Sequence, residues 1–249
     1  MTGAFGESEI LSARRDGAVS ILTLRRPERR NALDLALCRA IPIAAAEEVE
    51  AGARVLVVTG EGTSFCAGAD LNGVYGEEFL EALYGMLHGP RGLTSLPVPV
   101  IAAVNGPAIG GGTQLAMACD LRVADQGARF GVPTPRNAMA VDAWTIRTLA
   151  SLAGGGAARR MLIAAETLDV DAALACGLAD RSGTLSDAIA WAHELATLAP
   201  LSIAHNKAVL NGADDATAEA GFAACWASDD VRESGAARAE RRAPVFTGR

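Results

Sequence analysis

Residues 105–124 read NGPAIGGGTQLAMACDLRVA, and this stretch largely decides the fold that we expect. It follows an apolar run, residues 98–104, that is typical of a buried strand. Three glycines at 110–112 then open a predicted helix over residues 113–119. Small residues let a ligand approach the backbone closely, and the free amides and dipole of a helix start favour negative charge. We therefore expect a ligand-binding loop between a strand and a helix.

Earlier in the chain, a second small-residue loop repeats this arrangement. The predicted strand over residues 54–59 leads into a glycine-rich loop that contains FCAGADL, residues 65–71. If the two loops face each other, each can supply one backbone N–H to a carbonyl oxygen that becomes negative, worth about 3 kcal/mol apiece. The competing interpretation is that Gly-Gly-Gly only permits tight packing of a helix on a strand. Either loop alone favours packing, whereas the pair favours a site.

The first fifty residues predict a hairpin and a helix. The hairpin covers residues 9–24, with Asp16-Gly17 as its turn between apolar runs. Asn31 is expected to cap a helix over residues 32–50, with Asp34 in the first turn of that helix.

The later part of the chain predicts more helix than strand. A helix is expected over residues 77–87, and its apolar face is either core or the lining of a pocket. Short strands are expected over residues 121–124 and 129–131. From Asp142 onward the chain is mostly helical, with breaks at residues 154–156, Gly177 and Pro200. The fold class is therefore α/β, with a helical C-terminal extension.

Composition bounds the function classes. The chain has 249 residues, 50% hydrophobic and 20% charged, which suits one well-buried domain. A net charge of −7 without a basic stripe argues against a nucleic-acid partner. No apolar run is long enough for a membrane span. The first residues, MTGAFGESEI, lack a cationic segment followed by an apolar one, so we expect no secretory signal and a cytoplasmic location.

Metal and disulfide chemistry are not expected from this chain. The five cysteines are scattered, odd in number and free of CxxC spacing, and the three histidines show no ligand spacing. Lys207 is the only lysine among the 22 basic residues.

Five blocks of sequence then carry a specific resemblance. The blocks are RPERRNAL (26–33), VVTGEGTSFCAGADL (57–71), NGPAIGGGTQLAMACDLRVA (105–124), ARFGVP (128–133) and ERRAPVF (240–246). They look like the successive signature blocks of the crotonase (enoyl-CoA hydratase/isomerase) superfamily, in order and over nearly the whole chain.

The resemblance implies a fold and an assembly. The fold is a crotonase (ClpP-like) spiral of ββα turns with a helical C-terminal region. It implies an α/β core with the acyl-CoA site over residues 1–190 and a helical oligomerisation region over residues 191–249. The expected assembly is a homotrimer or homohexamer, and the expected partner is an acyl-CoA thioester. No separate cofactor is expected, because coenzyme A enters as part of the ligand.

The same resemblance assigns roles to individual residues. Ala69 and Gly111 match the two oxyanion-hole amides. The CoA-binding set that we expect is Arg29, Arg30, Ala67, Phe222 and Arg241. Of these, Arg29 or Arg30 would lie near the CoA phosphates and adenine, and Phe222 and Arg241 match positions that touch the nucleotide, often across a subunit interface.

Two positions depart from the family pattern. Hydratases of this family carry one glutamate three residues after the middle glycine of the GGG loop and another directly after the FGxP segment. Here these positions are Gln114 and Thr134. Neither side chain can exchange a proton usefully near neutral pH, and each lost acid–base group removes a factor of about 10² to 10⁴. We therefore expect hydratase activity to be weak or absent.

Asp142 leaves an alternative open. It lies eight residues after Thr134, where dienoyl-CoA isomerases of this family place a catalytic Asp, so it could shuttle a proton between carbons of an enolate. It also precedes a predicted helix and could simply cap it. Asp70 and Asp120 are interpreted as structural, and Cys66 has no histidine partner that would make it a nucleophile.

Four functional hypotheses follow, in this order of preference. The first is an acyl-CoA-binding family member of fatty-acid metabolism with little hydratase activity. The second is an enzyme that performs other enolate chemistry with Asp142. The third is a conventional enoyl-CoA hydratase, and the fourth is a generic α/β binding module.

Overall fold

Ten strands lie in the part of the chain that the computed structural model describes, residues 2–70 and 76–249. They are β1 (Thr2–Glu7), β2 (Leu11–Asp16), β3 (Val19–Leu24), β4 (Val55–Gly60), β5 (Val100–Val104), β6 (Pro107–Ile109), β7 (Leu121–Ala124), β8 (Arg129–Gly131), β9 (Thr167–Leu168) and β10 (Arg181–Ser182). The main sheet has the order β1-β2-β3-β4-β5-β7-β10, and a smaller sheet has the order β6-β8-β9. From β3 to β10 the main sheet is parallel. The carboxyl ends of these strands therefore meet at one edge.

Nine helices surround these sheets in the described ranges. They are α1 (Leu35–Glu50), α2 (Glu77–His88), α3 (Gly111–Ala118), α4 (Ala143–Leu162), α5 (Val170–Cys176), α6 (Leu185–Leu195), α7 (Pro200–Leu210), α8 (Asp215–Ala227) and α9 (Asp229–Glu240). Among the described residues, no helix combines the length and apolarity that crossing a membrane requires.

The main sheet is covered on both faces, which explains its continuous apolar strands. Val55 and Val57 of β4 pack in one cluster with Ala188 and Ala192 of α6. The alternating residues of β4 belong to the larger cluster that contains the buried residues of α1, α2 and α3. Every residue of β4 is buried. The predicted α/β core with a helical C-terminal region is confirmed.

Most predicted elements are confirmed at their expected positions. The hairpin forms from β2 and β3, and Gly17 adopts a positive φ of 59° in its turn. The helix predicted over residues 77–87 is α2, and the two short strands are β7 and β8. The predicted helix breaks are also present, since Gly154 kinks α4, Gly177 ends α5 and Pro200 begins α7.

The predicted start of the first long helix is wrong. Asp34, not Asn31, caps α1, because its Oδ1 accepts the Leu37 N–H at 2.8 Å. Asn31 is buried with φ at 55°, and its side chain bonds backbone groups of Arg26, Glu61 and Ser64. Its polar groups are thus used to join loops rather than to cap a helix.

Two further boundaries differ from the sequence prediction. Strand β5 begins at Val100 rather than residue 98. Pro99 has no N–H for a sheet hydrogen bond, which accounts for this later start. The helix predicted over residues 113–119 begins at Gly111 and ends at Ala118.

The only lysine attaches the C-terminal helices to the core. Lys207 of α7 is only 5% exposed. Its Nζ donates to the carbonyl oxygens of Leu93 at 3.0 Å and Val98 at 2.9 Å, and to Asp120 Oδ2 at 2.7 Å. The same Asp120 oxygen accepts the Val100 N–H at 2.8 Å. These contacts support the structural interpretation of Asp120.

We predict that Lys207→Met lowers the free energy of unfolding by about 3 kcal/mol, because it leaves the partly buried Asp120 carboxylate without its ion-pair partner. Urea unfolding measures the change. The double variant Lys207→Met/Asp120→Asn should lose less than the sum of the two single losses. Strict additivity of the losses would show that the two side chains do not interact.

Candidate functional site

Two backbone bridges hold the first small-residue loop, and one of them joins it to the second loop. Cys66 of the first loop pairs with Ala108 of the second in a parallel bridge. The Cys66 N–H donates to Pro107 O at 3.1 Å, and the Ile109 N–H donates to Cys66 O at 3.0 Å. A second parallel bridge ties Ala69 to Leu33. The first loop is therefore held between the segment before α1 and the segment before α3.

The amides of Ala69 and Gly111 lie close to each other. A Cβ atom placed on Gly111 would be 3.6 Å from the Ala69 nitrogen, and one placed on Gly68 would be 3.4 Å from the Gly111 nitrogen. Neither amide donates to an acceptor among the described residues. Gly111 is the first residue of α3, where the N–H has no partner within the helix. Two free donors thus lie near each other.

The glycines also meet a packing requirement. A Cβ atom on Gly112 would lie 2.0 Å from Cys66 O, so only glycine allows the loops to approach this closely. Thr113 fixes the other side, because its Oγ1 donates to Ala108 O at 2.6 Å or Gly131 O at 2.9 Å. Gly112 therefore meets the packing requirement, whereas the free amide of the neighbouring Gly111 fits the binding interpretation.

A cavity of about 140 Å³ opens beside these two amides. It brings together five of the residues that the sequence singled out: Ala67, Ala69, Gly111, Gln114 and Thr134. The remaining wall is largely apolar and comes from α2, the GGG loop and the segment after β8: Phe79, Leu80, Leu83, Ile109, Met139 and Val141. The apolar face of α2 therefore serves both the core and this cavity.

Gln114 is buried in the cavity wall, with 3% of its surface exposed. Its Nε2 donates to Thr145 Oγ1 at 2.7 Å. The Thr145 hydroxyl in turn donates to Asp142 Oδ1, which also accepts the Thr145 N–H at 3.1 Å. Asp142 thus caps α4, as one of the two sequence interpretations predicted.

His88 is a member of this network that the sequence did not reveal. Its Nε2 lies 2.9 Å from Asp142 Oδ2, and its ring stacks on Trp144 with the centroids 4.7 Å apart. His88 and Asp142 are 54 residues apart in the chain, so no local spacing could pair them. Burial and the negative charge of Asp142 raise the pKa of Tyr84, which lines the cavity one helical turn before His88.

Thr134 faces the same cavity from a short 3-10 helix, Thr134–Asn137. Its carbonyl accepts the Met139 N–H at 3.1 Å. The position therefore contributes a threonine, whose side chain carries no charge, to the cavity lining.

The Cys66 thiol is not poised to act as a nucleophile. Burial raises the pKa of its thiol to about 12, so it stays protonated near neutral pH. Asp70 accepts a hydrogen bond from Arg26 Nη2 at 3.1 Å, which supports its structural interpretation.

The residues expected to bind CoA lie in two places. Arg29 and Arg30 are exposed, and the Arg30 carbonyl accepts the Ala67 N–H at 2.9 Å, next to the cavity. Phe222, 57% exposed, instead lines a separate groove between α7, α8 and α9. Arg241 is exposed at the end of α9. Within one chain, the structure does not bring Phe222 or Arg241 to the cavity.

Comparison with known proteins identifies the family. The family model described as enoyl-CoA hydratase/isomerase matches residues 14–249. A Mycobacterium tuberculosis protein named probable enoyl-CoA hydratase echA6 is 47% identical over 239 residues, covering 93% of this chain and 96% of that protein. The short-chain-enoyl-CoA hydratase of Clostridium acetobutylicum is 31% identical over 244 residues, covering 92% of this chain and 94% of that protein.

Solved structures agree with this match. An enoyl-CoA hydratase/carnithine racemase from Magnetospirillum magneticum superposes with a TM-score of 0.86 at 30% identity, covering 100% of this chain and 99% of that one. An enoyl-CoA hydratase from Bacillus anthracis superposes with a TM-score of 0.86 at 28% identity, covering 96% of this chain and 100% of that one. The chain therefore belongs to the enoyl-CoA hydratase/isomerase (crotonase) family, and the predicted crotonase fold is confirmed.

We predict that Gly112→Ala lowers the free energy of unfolding by about 1–3 kcal/mol, because the added methyl forces the two loops apart. Gly85→Ala is the matched control. A Cβ atom at position 85 of α2 meets nothing within 4 Å, so this change should be neutral or stabilise by up to about 1 kcal/mol. Equal denaturant midpoints for Gly112→Ala and the wild type would contradict the close approach.

Proposed function

We propose that the protein binds acyl-CoA thioesters of fatty-acid metabolism and hydrates enoyl-CoA weakly or not at all. The observation that carries this proposal is the pair of free amides, Ala69 and Gly111, beside a cavity that holds Gln114 and Thr134 instead of carboxylates. Two N–H donors suit a thioester oxygen, and the apolar wall suits an acyl chain.

Hydration needs proton transfers that this cavity is poorly equipped to make. Water must lose a proton while the α-carbon gains one, and each transfer needs a positioned acid or base. The amide of Gln114 and the hydroxyl of Thr134 do not ionise near neutral pH. They can hydrogen-bond a ligand or a water, which favours holding a thioester over transforming it.

Asp142 is poorly placed to replace the missing carboxylates. Oδ1 accepts two hydrogen bonds from Thr145, and Oδ2 is bonded to His88. Both oxygens are therefore engaged within the protein. This arrangement supports the capping interpretation and gives isomerase chemistry at Asp142 no specific support.

The nucleotide part of the ligand is assigned to the exposed cations next to the first loop. Neither Arg29 nor Arg30 has an ion-pair partner within the described ranges, and both follow Pro27 in a short turn whose end bonds Ala67. Guanidinium groups suit phosphate oxygens.

The C-terminal region, residues 191–249, is proposed to form the contacts of a homotrimer or homohexamer. Its helices expose large apolar side chains, including Trp226, which is 66% exposed, together with Leu210 and Phe222. Contiguous exposed apolar surface is typical of an interface. In such an assembly, Phe222 and Arg241 would serve the site of a neighbouring subunit. The cytoplasm is the proposed location.

The first test is the rate of water addition to enoyl-CoA substrates from short to long chain, with protein free of host hydratase. We expect a rate at least ~10³-fold below that of the Clostridium short-chain-enoyl-CoA hydratase, because two acid–base groups are absent. Acyl-CoA should nevertheless raise the thermal midpoint of unfolding.

The double variant Gln114→Glu/Thr134→Glu is the companion experiment and should hydrate faster than the wild type. A wild-type rate within tenfold of the Clostridium enzyme would refute the proposal, as would the absence of any acyl-CoA-dependent stabilisation.

We also predict that Arg29→Gln/Arg30→Gln weakens acyl-CoA binding about tenfold, since two charge-assisted contacts to phosphate are lost. Calorimetry measures the loss, and acyl-pantetheine, which lacks the nucleotide, should bind both proteins equally. Arg160→Gln is the control for a general charge change, because Arg160 is half-exposed on α4 and outside the cavity wall. Unchanged affinity for acyl-CoA would remove these two arginines from the site.

A further inference from the structure

The hydrogen bonds around Gln114 determine which end of its amide faces the cavity. Asp142 is a carboxylate and can only accept, so the single hydroxyl proton of Thr145 is directed to Asp142 Oδ1. The Thr145 oxygen is then an acceptor, and the group of Gln114 that lies 2.7 Å from it must be the NH₂. The amide carbonyl of Gln114 is left for the cavity.

The carbonyl oxygen of Gln114 has no hydrogen-bond partner within residues 2–70 and 76–249. Oε1 accepts no hydrogen bond from a described residue, although only 3% of the surface of Gln114 is exposed. No side-chain nitrogen or oxygen among the described residues is both fully buried and unbonded. Because Gln114 lines the cavity, a ligand in the cavity can reach this oxygen.

Gln114 also stands at a defined place along a bound acyl chain. It follows Gly111 by three residues on α3, so the two lie on the same face of that helix. If Gly111 holds the thioester oxygen, as the proposed function requires, Gln114 lies beside the first carbons of the acyl chain.

We propose that Thr145 and Asp142 are positioning residues that lock Gln114 with its carbonyl oxygen toward the acyl chain, so that the site favours acyl groups with a hydrogen-bond donor near the thioester. Asp142 orders Thr145 through two hydrogen bonds, and His88 holds the second oxygen of Asp142. This inference rests on the proposed function, because it assumes that the thioester occupies the amides of Ala69 and Gly111.

Binding of two matched esters tests the proposal. Butyryl-CoA has no donor on its acyl part, whereas 3-hydroxybutyryl-CoA carries one hydroxyl, and each enantiomer is measured separately. Wild-type protein should bind one enantiomer about fivefold to tenfold tighter than butyryl-CoA, the factor expected for one net hydrogen bond. Equal affinities for all three esters would overturn the inference while leaving acyl-CoA binding itself intact.

Variants of Thr145 separate positioning from bulk structure. Thr145→Val keeps the shape but removes the acceptor, so the amide can turn over and the preference should fall to about twofold or less. Thr145→Ser should restore the preference. Asp142→Asn should retain it, because Asn Oδ1 can accept the same two hydrogen bonds. A Thr145→Val protein that keeps the wild-type ratio would refute the positioning role.

Two controls keep the outcomes distinguishable. The affinity for butyryl-CoA should be the same in wild type, Thr145→Val and Thr145→Ser, which shows that each variant retains the thioester site. If neither ester binds the wild type, the proposed function fails and this inference fails with it. If both bind and only the preference is missing, this inference alone fails.

Discussion

The close approach of two backbone segments is the constraint on which the rest of the structure depends. Cys66 O and the α-carbon of Gly112 leave no room for a side chain between them, and the Cys66–Ala108 bridge fixes the register of the two loops. In this register the amides of Ala69 and Gly111 lie close to each other. The strands behind the loops are buried on both faces, so the loops cannot shift without disturbing the core.

The chemistry of the cavity follows from what surrounds that pair of donors. A hydratase needs groups that gain and lose protons, and this cavity is lined by the amides of Gln114 and Asn137, the Thr134 hydroxyl, the Tyr84 phenol and apolar carbon. Asp142, the carboxylate linked to Gln114 through Thr145, has its oxygens bonded to Thr145 and His88. The single hydroxyl proton of Thr145 is donated to Asp142, so the Thr145 oxygen can only accept from position 114. The NH₂ group of Gln114 supplies such a donor, and a carboxylate at this position would not.

Local patterns in the sequence were sufficient for most of the fold and for the residues that lie within one loop. Apolar runs located β4 and β5, and the small-residue pattern located the two loops, within which the family resemblance singled out Ala69 and Gly111. The error at Asn31 arose because its side chain bonds loops up to 33 residues away, which a capping rule cannot register. His88 and Thr145 were missed for the same reason, because their roles depend on contacts across 54 and 31 residues.

The C-terminal helices α7, α8 and α9 bury few of their residues within the single chain. Lys207 reaches into the core and satisfies two carbonyls and one carboxylate at once, whereas α8 has no buried residue in the single chain. A helix without a buried face gains little from packing, and tertiary packing is the main source of helix stability. The exposed apolar residues of α8 therefore gain most if another surface covers them, which connects the stability of this region to the assembly that we propose.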